Sequence, residues 1–311
     1  MGYNTSSISQ YVDQSSKELL AAIVAGSNTF NASSVRVVPG IKAGSAKQMK
    51  LFSNTVNYVT SSCPSTVSGA TTFVERLLST DLITVFDGTC SDDIDDKLSI
   101  YLPAGASGQG DFDLPTEIVD DILAIVSRDN AKAAWQGGTI ATNMLFNTVE
   151  GWLYKLKNTA YSAETFGTTA GTFTSANAVA GADALVATIP AALASENFLM
   201  HMPAAYFNAL KVGLRNANYY NFGAQDDATS FVLPGYSNIT VVRDDGMAGA
   251  TDIVLALADG GDLIWSVDQM SDQEKVEVWY DKTDDKLYHR VKFAVGTEIA
   301  YPSQIGILSI G

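Results

Sequence analysis

Residues 113–138, DLPTEIVDDILAIVSRDNAKAAWQGG, form the one stretch of this chain whose start, periodicity and stop all agree. Asp113 stands at or just before an N-cap, Pro115 suits a first helical turn, and Glu117, Asp120 and Asp121 place negative charge near the positive end of the helix dipole. Arg128 and Lys132 lie toward the other end. Ile118, Ile122, Ile125, Val126 and Ala133 recur at helical spacing, which predicts one apolar face, with Ile122 buried on it. Gly137 and Gly138 supply the stop. A helix from Pro115 to Gln136 would run about 33 Å, so something must lie along it.

Before this helix the texture is different. Ile8, Tyr11, Val12, Leu19, Leu20 and Ile23 make a rough amphipathic pattern ending at Gly26. It reads equally as a helix packed on its own domain or one docked on a neighbouring subunit. Between Asn28 and Cys90 come short β-prone pieces, SSVRVVPGI, KQMKLFSNTVNYVT and TTFVERLLSTDLITVFDG, parted by Gly, Ser and Pro. They predict extended hairpins forming an arm or projecting loop, with 61–70, SSCPSTVSGA, as the softest joint. A short strand is expected over 97–102, followed by a flexible link, GASGQG.

After the long helix, 144–158 reads as a second helix or turn-helix, and 162–175 as a Thr/Gly-rich excursion. Residues 177–195 are Ala-rich and helical, with Pro190 as a kink. Another helix spans 203–216, with Tyr206, Phe207, Leu210 and Leu214 on one face. Strands are expected over 237–243, 252–258 and 262–267; the continuously apolar IVLALA of 253–258 suits a strand buried on both sides, inside a mixed α/β layer. EKVEVWY (274–280) and KLYHRVKFAV (286–295) alternate with period two across DKTDDK, which predicts a long antiparallel hairpin. Leu287, His289, Val291, Phe293 and Val295 share its apolar face, and the long helix is the candidate lid. SQIGILSI (303–310) reads as a final strand.

Chemistry was sought at each motif. His201 and His289 lie outside any HExxH pattern; no phosphate loop or GxSxG elbow occurs, and Cys63 and Cys90 form no CxxC pair. His201, in FLMHMP, reads as a packing residue or turn partner, and His289 as a satisfied buried or interface residue. The acidic SDDIDDK of 91–97 lacks the central glycine and distant glutamate of a calcium loop and reads as a solvated turn. The carboxylates at 92–96, 226–227 and 281–285 likewise sit in turns. No catalytic, cofactor-binding or metal residue is assigned, no cofactor is expected, and the chain is expected not to be an enzyme. Nineteen basic against 34 acidic residues, a net charge of -15, argue against broad gripping of nucleic-acid phosphates. With two cysteines there is no disulfide framework, so a reducing compartment is expected. No run reaches the roughly 18 consecutive apolar residues of a membrane span.

The order of arm, extended hairpins, long helix, mixed α/β region and closing hairpin resembles the major capsid protein of tailed phages, the Hong Kong 97 fold. TTFVERLLSTDLITVFDGTCSDDIDD is similar to the arm-to-domain segment of capsid proteins from crAss-like and related phages. FLMHMPAAYFNALKVGLRNANYYN with LPGYSNITVVRDDGM resembles the central part of their A domain. The stretch from IWSVDQMSDQEKVEVWY to VGTEIAYPSQIGIL resembles their closing strands. The resemblance covers most of the chain from about Thr71 onward.

It implies an α+β (mixed α/β) fold divided into an N-terminal arm (1–27), an extended loop (28–95), a P domain with its spine helix (96–142), an A domain (143–273), a P-domain hairpin (274–302) and a terminal strand (303–311). The implied function is self-assembly into hexamers and pentamers of an icosahedral shell around double-stranded DNA, in a virion put together in the host bacterial cytoplasm. The implied partners are other copies of the chain, a portal, decoration proteins and, since no long charged prefix precedes the arm, a separate scaffolding protein. The family's Lys–Asn cross-link has no matching motif here and is not carried over. Two alternatives stay open: an encapsulin-type compartment with the same fold, and an acidic hydrolase or secreted binding module of a different class.

Overall fold

The computed structural model describes residues 27–55, 69–90, 114–139, 144–158, 160–217, 229–268 and 275–311. The stretches expected to form an N-terminal helix, the 91–97 acidic turn, the 97–102 strand and the GASGQG link lie outside the described residues, as does most of the 61–70 joint.

From Ser27, whose hydroxyl accepts from the Thr29 amide, the one-turn helix α1 (Asn28–Asn31) leads into β1 (Val35–Pro39). β2 (Ala46–Thr55) and β3 (Ala70–Ser79) pair with each other as an antiparallel ribbon, and β4 (Asp81–Cys90) follows. Next come the long helix α2 (Leu114–Gln136), two short helices α3 (Met144–Thr148) and α4 (Trp152–Asn158), and β5 (Phe166–Ala170). Helix α5 (Ala178–Val186), β6 (Phe198–Met202) and α6 (Ala204–Asn216) precede β7 (Ser230–Val232) and β8 (Ile239–Arg243). β9 (Asp252–Leu257), β10 (Leu263–Val267), β11 (Lys275–Asp281), β12 (Lys286–Ile299) and β13 (Gly306–Ile310) complete the chain.

β12 organises the first sheet. Its N-terminal part pairs antiparallel with β11 and β4, its C-terminal part pairs with β10, and β1 adds parallel to β10. The expected alternation holds: Leu287, His289, Val291, Phe293 and Val295 all point inward, none more than 8% exposed. Helix α2 lies over this face, where Leu123 and Val126 join Leu287, Val291 and Phe293 in one buried cluster.

The buried stripe on α2 differs from the expected one. Leu123, Val126, Asn130, Ala133 and Ala134 are buried, whereas Ile122 is half-buried and Ile125 is 40% exposed. Val126 and Ala133 are buried as expected; for the rest, packing against β12 turns the buried stripe toward Leu123, Asn130 and Ala134 and away from Ile122 and Ile125. The glycine stop is as expected. Gly138 has φ 75° and donates its amide to Phe146 O, while a side chain at Gly137 would meet the Val149 carbonyl oxygen at 2.1 Å. Only two bare backbones can approach this closely, and α4 is thereby set against the end of α2. Trp135 then meets Trp152 edge-on at 4.9 Å.

The second sheet has strand order β5-β13-β9-β6-β8-β7. β5 lies in the stretch read as an excursion, and β6 in a stretch assigned no strand. Pro190 does not kink a continuous helix: α5 ends at Val186, and Pro190 starts a separate tight turn, Ala191–Leu193, because proline has no amide to continue the ladder. As expected, β9 is buried on both sides. Ile253 and Leu255 face a core with Leu185, Phe207 and Leu210 from α5 and α6, while Val254 and Ala256 face the core that holds Trp135 and β12. β10 crosses to the first sheet through the 259–262 turn.

A buried polar knot ties the segments together. Asp244, 2% exposed, accepts hydrogen bonds from Thr29 Oγ1 (2.5 Å), Trp135 Nε1 (3.0 Å) and the Gly246 amide (2.9 Å). His201 Nδ1 lies 3.3 Å from the same carboxylate and its Nε2 2.8 Å from Ser34 Oγ. Gln136 Nε2 donates to the Gly246 carbonyl. By contrast Asp262, 1% exposed where the chain passes between the sheets, has no hydrogen-bond partner for either carboxylate oxygen among the described residues. Burial alone raises its pKa from 3.8 to about 6.

Three outcomes follow. Val126→Asp puts an unpaired charge under α2 and should cost at least about 3 kcal/mol by urea denaturation, whereas Ile125→Asp should stay within roughly 0.5 kcal/mol. Asp244→Ala strands the Thr29, Trp135 and Gly246 donors and should cost about 3–5 kcal/mol. The folded state holds the Asp262 proton more tightly than the unfolded chain does. The contribution of Asp262 to stability should therefore fall as pH rises from 3.8 to about 6 and level off above, a loss of about 3 kcal/mol that Asp262→Asn should remove when its pH series of melts is compared with wild type.

Candidate assembly surface

The β2–β3 ribbon stands apart from both sheets, and its register gives it two different faces. Leu51, Met49, Arg76 and Leu78 share one face; Phe52, Phe73, Lys50, Glu75, Gln48 and Leu77 share the other. The first face roots the ribbon, because Leu51 and Leu78 are buried with Ile41, Ile264 and Ala300. Thr80 Oγ1 donates to Ile41 O at 2.9 Å and Ser266 Oγ to Ser79 O at 3.1 Å. Gly296 of β12 allows this crossing, since a side chain there would sit 2.0 Å from the Ser79 carbonyl oxygen.

Among the described residues the opposite face has no cover. Phe52 and Phe73 form a cross-strand pair at 59% and 69% exposure, with Leu77 at 57% beside them. Covering such side chains is worth about 1.5–3 kcal/mol each.

Of the 28–95 stretch expected to project, only this ribbon does so among the described residues. β1 and β4 are strands of the first sheet, and Phe30 of α1 stacks on Trp265 at 4.8 Å. Both carry apolar side chains at alternate positions, such as Val35 and Ile83, which are buried in the first core.

The outward side of the first sheet carries a second patch. Phe86, Trp279 and Tyr288 stack with centroids 5.4–5.9 Å apart, and Arg290 lies over Trp279 at 5.4 Å while pairing with Glu277. Leu82 and Phe86 remain exposed there. On the inner side, a groove of about 390 Å³ runs between α2 and β4, lined by Ile83, Ile122, Val126, Met144 and Phe293 with His289.

The two histidines occupy different settings. His201 belongs to the Asp244 knot. His289 is buried on the hairpin's apolar face, its pKa lowered by burial against the opposing pull of Asp87, whose Oδ2 lies 3.8 Å from Nε2. Asp244 escaped the sequence reading, which gives it no role; its side chain caps the tight turn Asp245–Met247. Lys42, Lys47 and Lys50 are exposed, as is Cys90. In the 281–285 turn, Tyr280 donates to Asp285 and Tyr288 to Asp284. Among the described residues no cluster of three or more metal-ligating side chains occurs, and no helix is long and apolar enough to cross a membrane.

No family model matches the chain, and no curated protein matches it by sequence. Solved structures do match along nearly its whole length. A chain of the satellite phage P4 procapsid is 13% identical, with 94% of this chain and 98% of that one covered at a TM-score of 0.58. The cyanophage A-1(L) capsid is 13% identical, covering 93% and 91% at 0.56. The SrpI encapsulin of Synechococcus elongatus is 10% identical, covering 88% and 84% at 0.51. At such identities the likeness is one of architecture: the long helix, the two sheets and the projecting ribbon make up a mixed α/β fold of the Hong Kong 97 capsid type.

Proposed function

We propose that this chain is the major capsid protein of a tailed phage, a structural subunit that assembles into hexamers and pentamers of an icosahedral shell around double-stranded DNA. The observation that carries this reading is the ribbon, rooted by one face and bare on the other. Among the described residues nothing covers Phe52, Phe73 and Leu77, and a second copy can. In this reading the ribbon (46–79) is the extended loop and residues 1–27 are the arm. The first sheet with α2 is the P domain, and the second sheet with α5 and α6 is the A domain, which β13 joins as the terminal strand. A separate scaffolding protein, a portal and decoration proteins would complete a virion assembled in the bacterial cytoplasm. The net charge of -15 suits a lining that does not clamp packaged DNA through many phosphate contacts.

An encapsulin-type compartment is the second reading, favoured by the likeness to the cyanobacterial encapsulin. The contents separate the two: particles recovered from the native source hold double-stranded DNA in the first case and a cargo enzyme in the second.

The purified chain, under crowding or with a scaffold, should give rings or shells in negative stain and light scattering. Phe52→Ser with Phe73→Ser should abolish them while leaving the subunit's melting temperature unchanged. A wild-type chain that stays monomeric under all these conditions would sink the proposal.

A further inference from the structure

The ribbon is rooted by an apolar pivot, and an apolar contact has no preferred direction. Leu51, Leu78 and Ile41 against Ile264 and Ala300 hold its base without dictating its angle, and the hydrogen bonds at the root, at Ser79 and Thr80, lie on the body side of Leu78 and do not reach the projecting span. Two residues outward from Leu78, on the same face, Arg76 does something different. Lys47, Lys50 and Glu75 of the ribbon are exposed, but the Arg76 side chain is 15% exposed and lies against the body. Its guanidinium sits 4.3 Å over the Tyr161 ring and 3.6 Å from Glu164 Oε2.

Tyr161 is itself held firmly. Its hydroxyl donates to Glu298 Oε1 at 2.8 Å, and the other carboxylate oxygen takes Lys155 Nζ at 3.0 Å. Lys155 also donates to Thr297 O at 2.7 Å, and the Ile299 amide donates to Glu298 Oε1 at 3.0 Å. Burial and the Glu298 charge push the Tyr161 pKa up to about 12, so the phenol stays a neutral donor at any physiological pH. The ring that receives Arg76 is thus fixed to α4 and to the end of β12.

We propose that Arg76 is a clasp: it docks on the Tyr161–Glu298–Lys155 relay and sets the angle at which the ribbon leaves the body, while the Leu78 pivot keeps the ribbon attached whether the clasp is closed or open. A planar cation over a ring is directional, so the clasp supplies the orientation the pivot lacks. The inference stands on the geometry of one subunit and does not depend on the shell reading.

The test is a spin-label distance measurement on the full chain, with Cys63 and Cys90 replaced by serine. Asn54→Cys on the ribbon and Asp183→Cys on α5 report the angle; Asp183→Cys with Asp259→Cys reports the body alone. Wild type should give one narrow ribbon-to-body distance. Arg76→Ala and Tyr161→Leu should each lose that narrow peak and leave the body pair unchanged. Tyr161→Phe, which keeps the ring, should retain it. A narrow, unshifted ribbon distance in both Arg76→Ala and Tyr161→Leu overturns the clasp, because the pivot alone would then fix the angle. Should Arg76→Ala fail to fold, Arg76→Lys keeps the charge without the planar face: a broadened peak supports the clasp and an unchanged one overturns it.

Discussion

A single buried carboxylate holds the most widely separated parts of this chain at one point. Asp244 receives Thr29 from the N-terminal segment, Trp135 from the end of the long helix and the amide of its own turn, with His201 of β6 alongside. Burying a carboxylate is expensive unless its acceptor sites are filled. No one of these segments can fill them alone, so the carboxylate is tolerated only when all four are in place. That requirement selects one mutual arrangement of α1, α2, β6 and β8 out of the many that apolar packing would allow. The same point sits beside β9, whose alternate residues serve two cores. Both sheets are thereby referred to one wall.

Against that fixed body the ribbon is the exception. Its root is built like the interior, with Leu51 and Leu78 buried, Gly296 shaved to let Ser79 cross, and Arg76 docked on a ring. Its outer face is built like an interface, with two phenylalanines directly opposite each other in the open. A contact made by such a projection is with a different patch on the partner, and head-to-tail contacts of that type close into rings or shells when the rotation between copies is fixed. In the proposed shell the angle of the ribbon would therefore belong to assembly geometry. A subunit with net charge -15 would bring like charge to such contacts, and association would then rest on apolar faces like this one.

The legible parts of the sequence were those where the pattern is local and long. The stop of α2 at Gly137 and Gly138, the alternation of 286–295 and the double burial of IVLALA all follow from period and composition. So does the α6 face of Phe207, Leu210 and Leu214. Less legible was any feature decided by what lies opposite. The stripe on α2 was read rightly at Val126 and Ala133 but not at Ile122 and Ile125, since these fit a helical period as well as the buried Leu123 does. β5 and β6 are five-residue strands whose residues, FGTTA and FLMHM, carry no alternation of their own. They become strands because β13, β8 and β9 offer them edges.

The candidate surface divides in the same way. That 46–55 and 70–79 would form an extended hairpin was readable, but which face would be bare was not, because Phe52 and Leu51 are equally apolar and one residue apart. A slip of β2 by one residue against β3 would turn β2 over. It would present Leu51 to solvent and drive Phe52 toward Ile264 while Leu78 stayed in its pocket. β3 is seated by Leu78 at the pivot together with Arg76 at its ring, two residues on the same face at strand spacing, each needing a different chemical partner on the body. An apolar side chain cannot satisfy the seat on Tyr161, and a guanidinium cannot fill the pocket at Ala300, so the two anchors admit one seating of β3, and Leu51 in the same pocket as Leu78 holds β2 to it and leaves the aromatic pair outside.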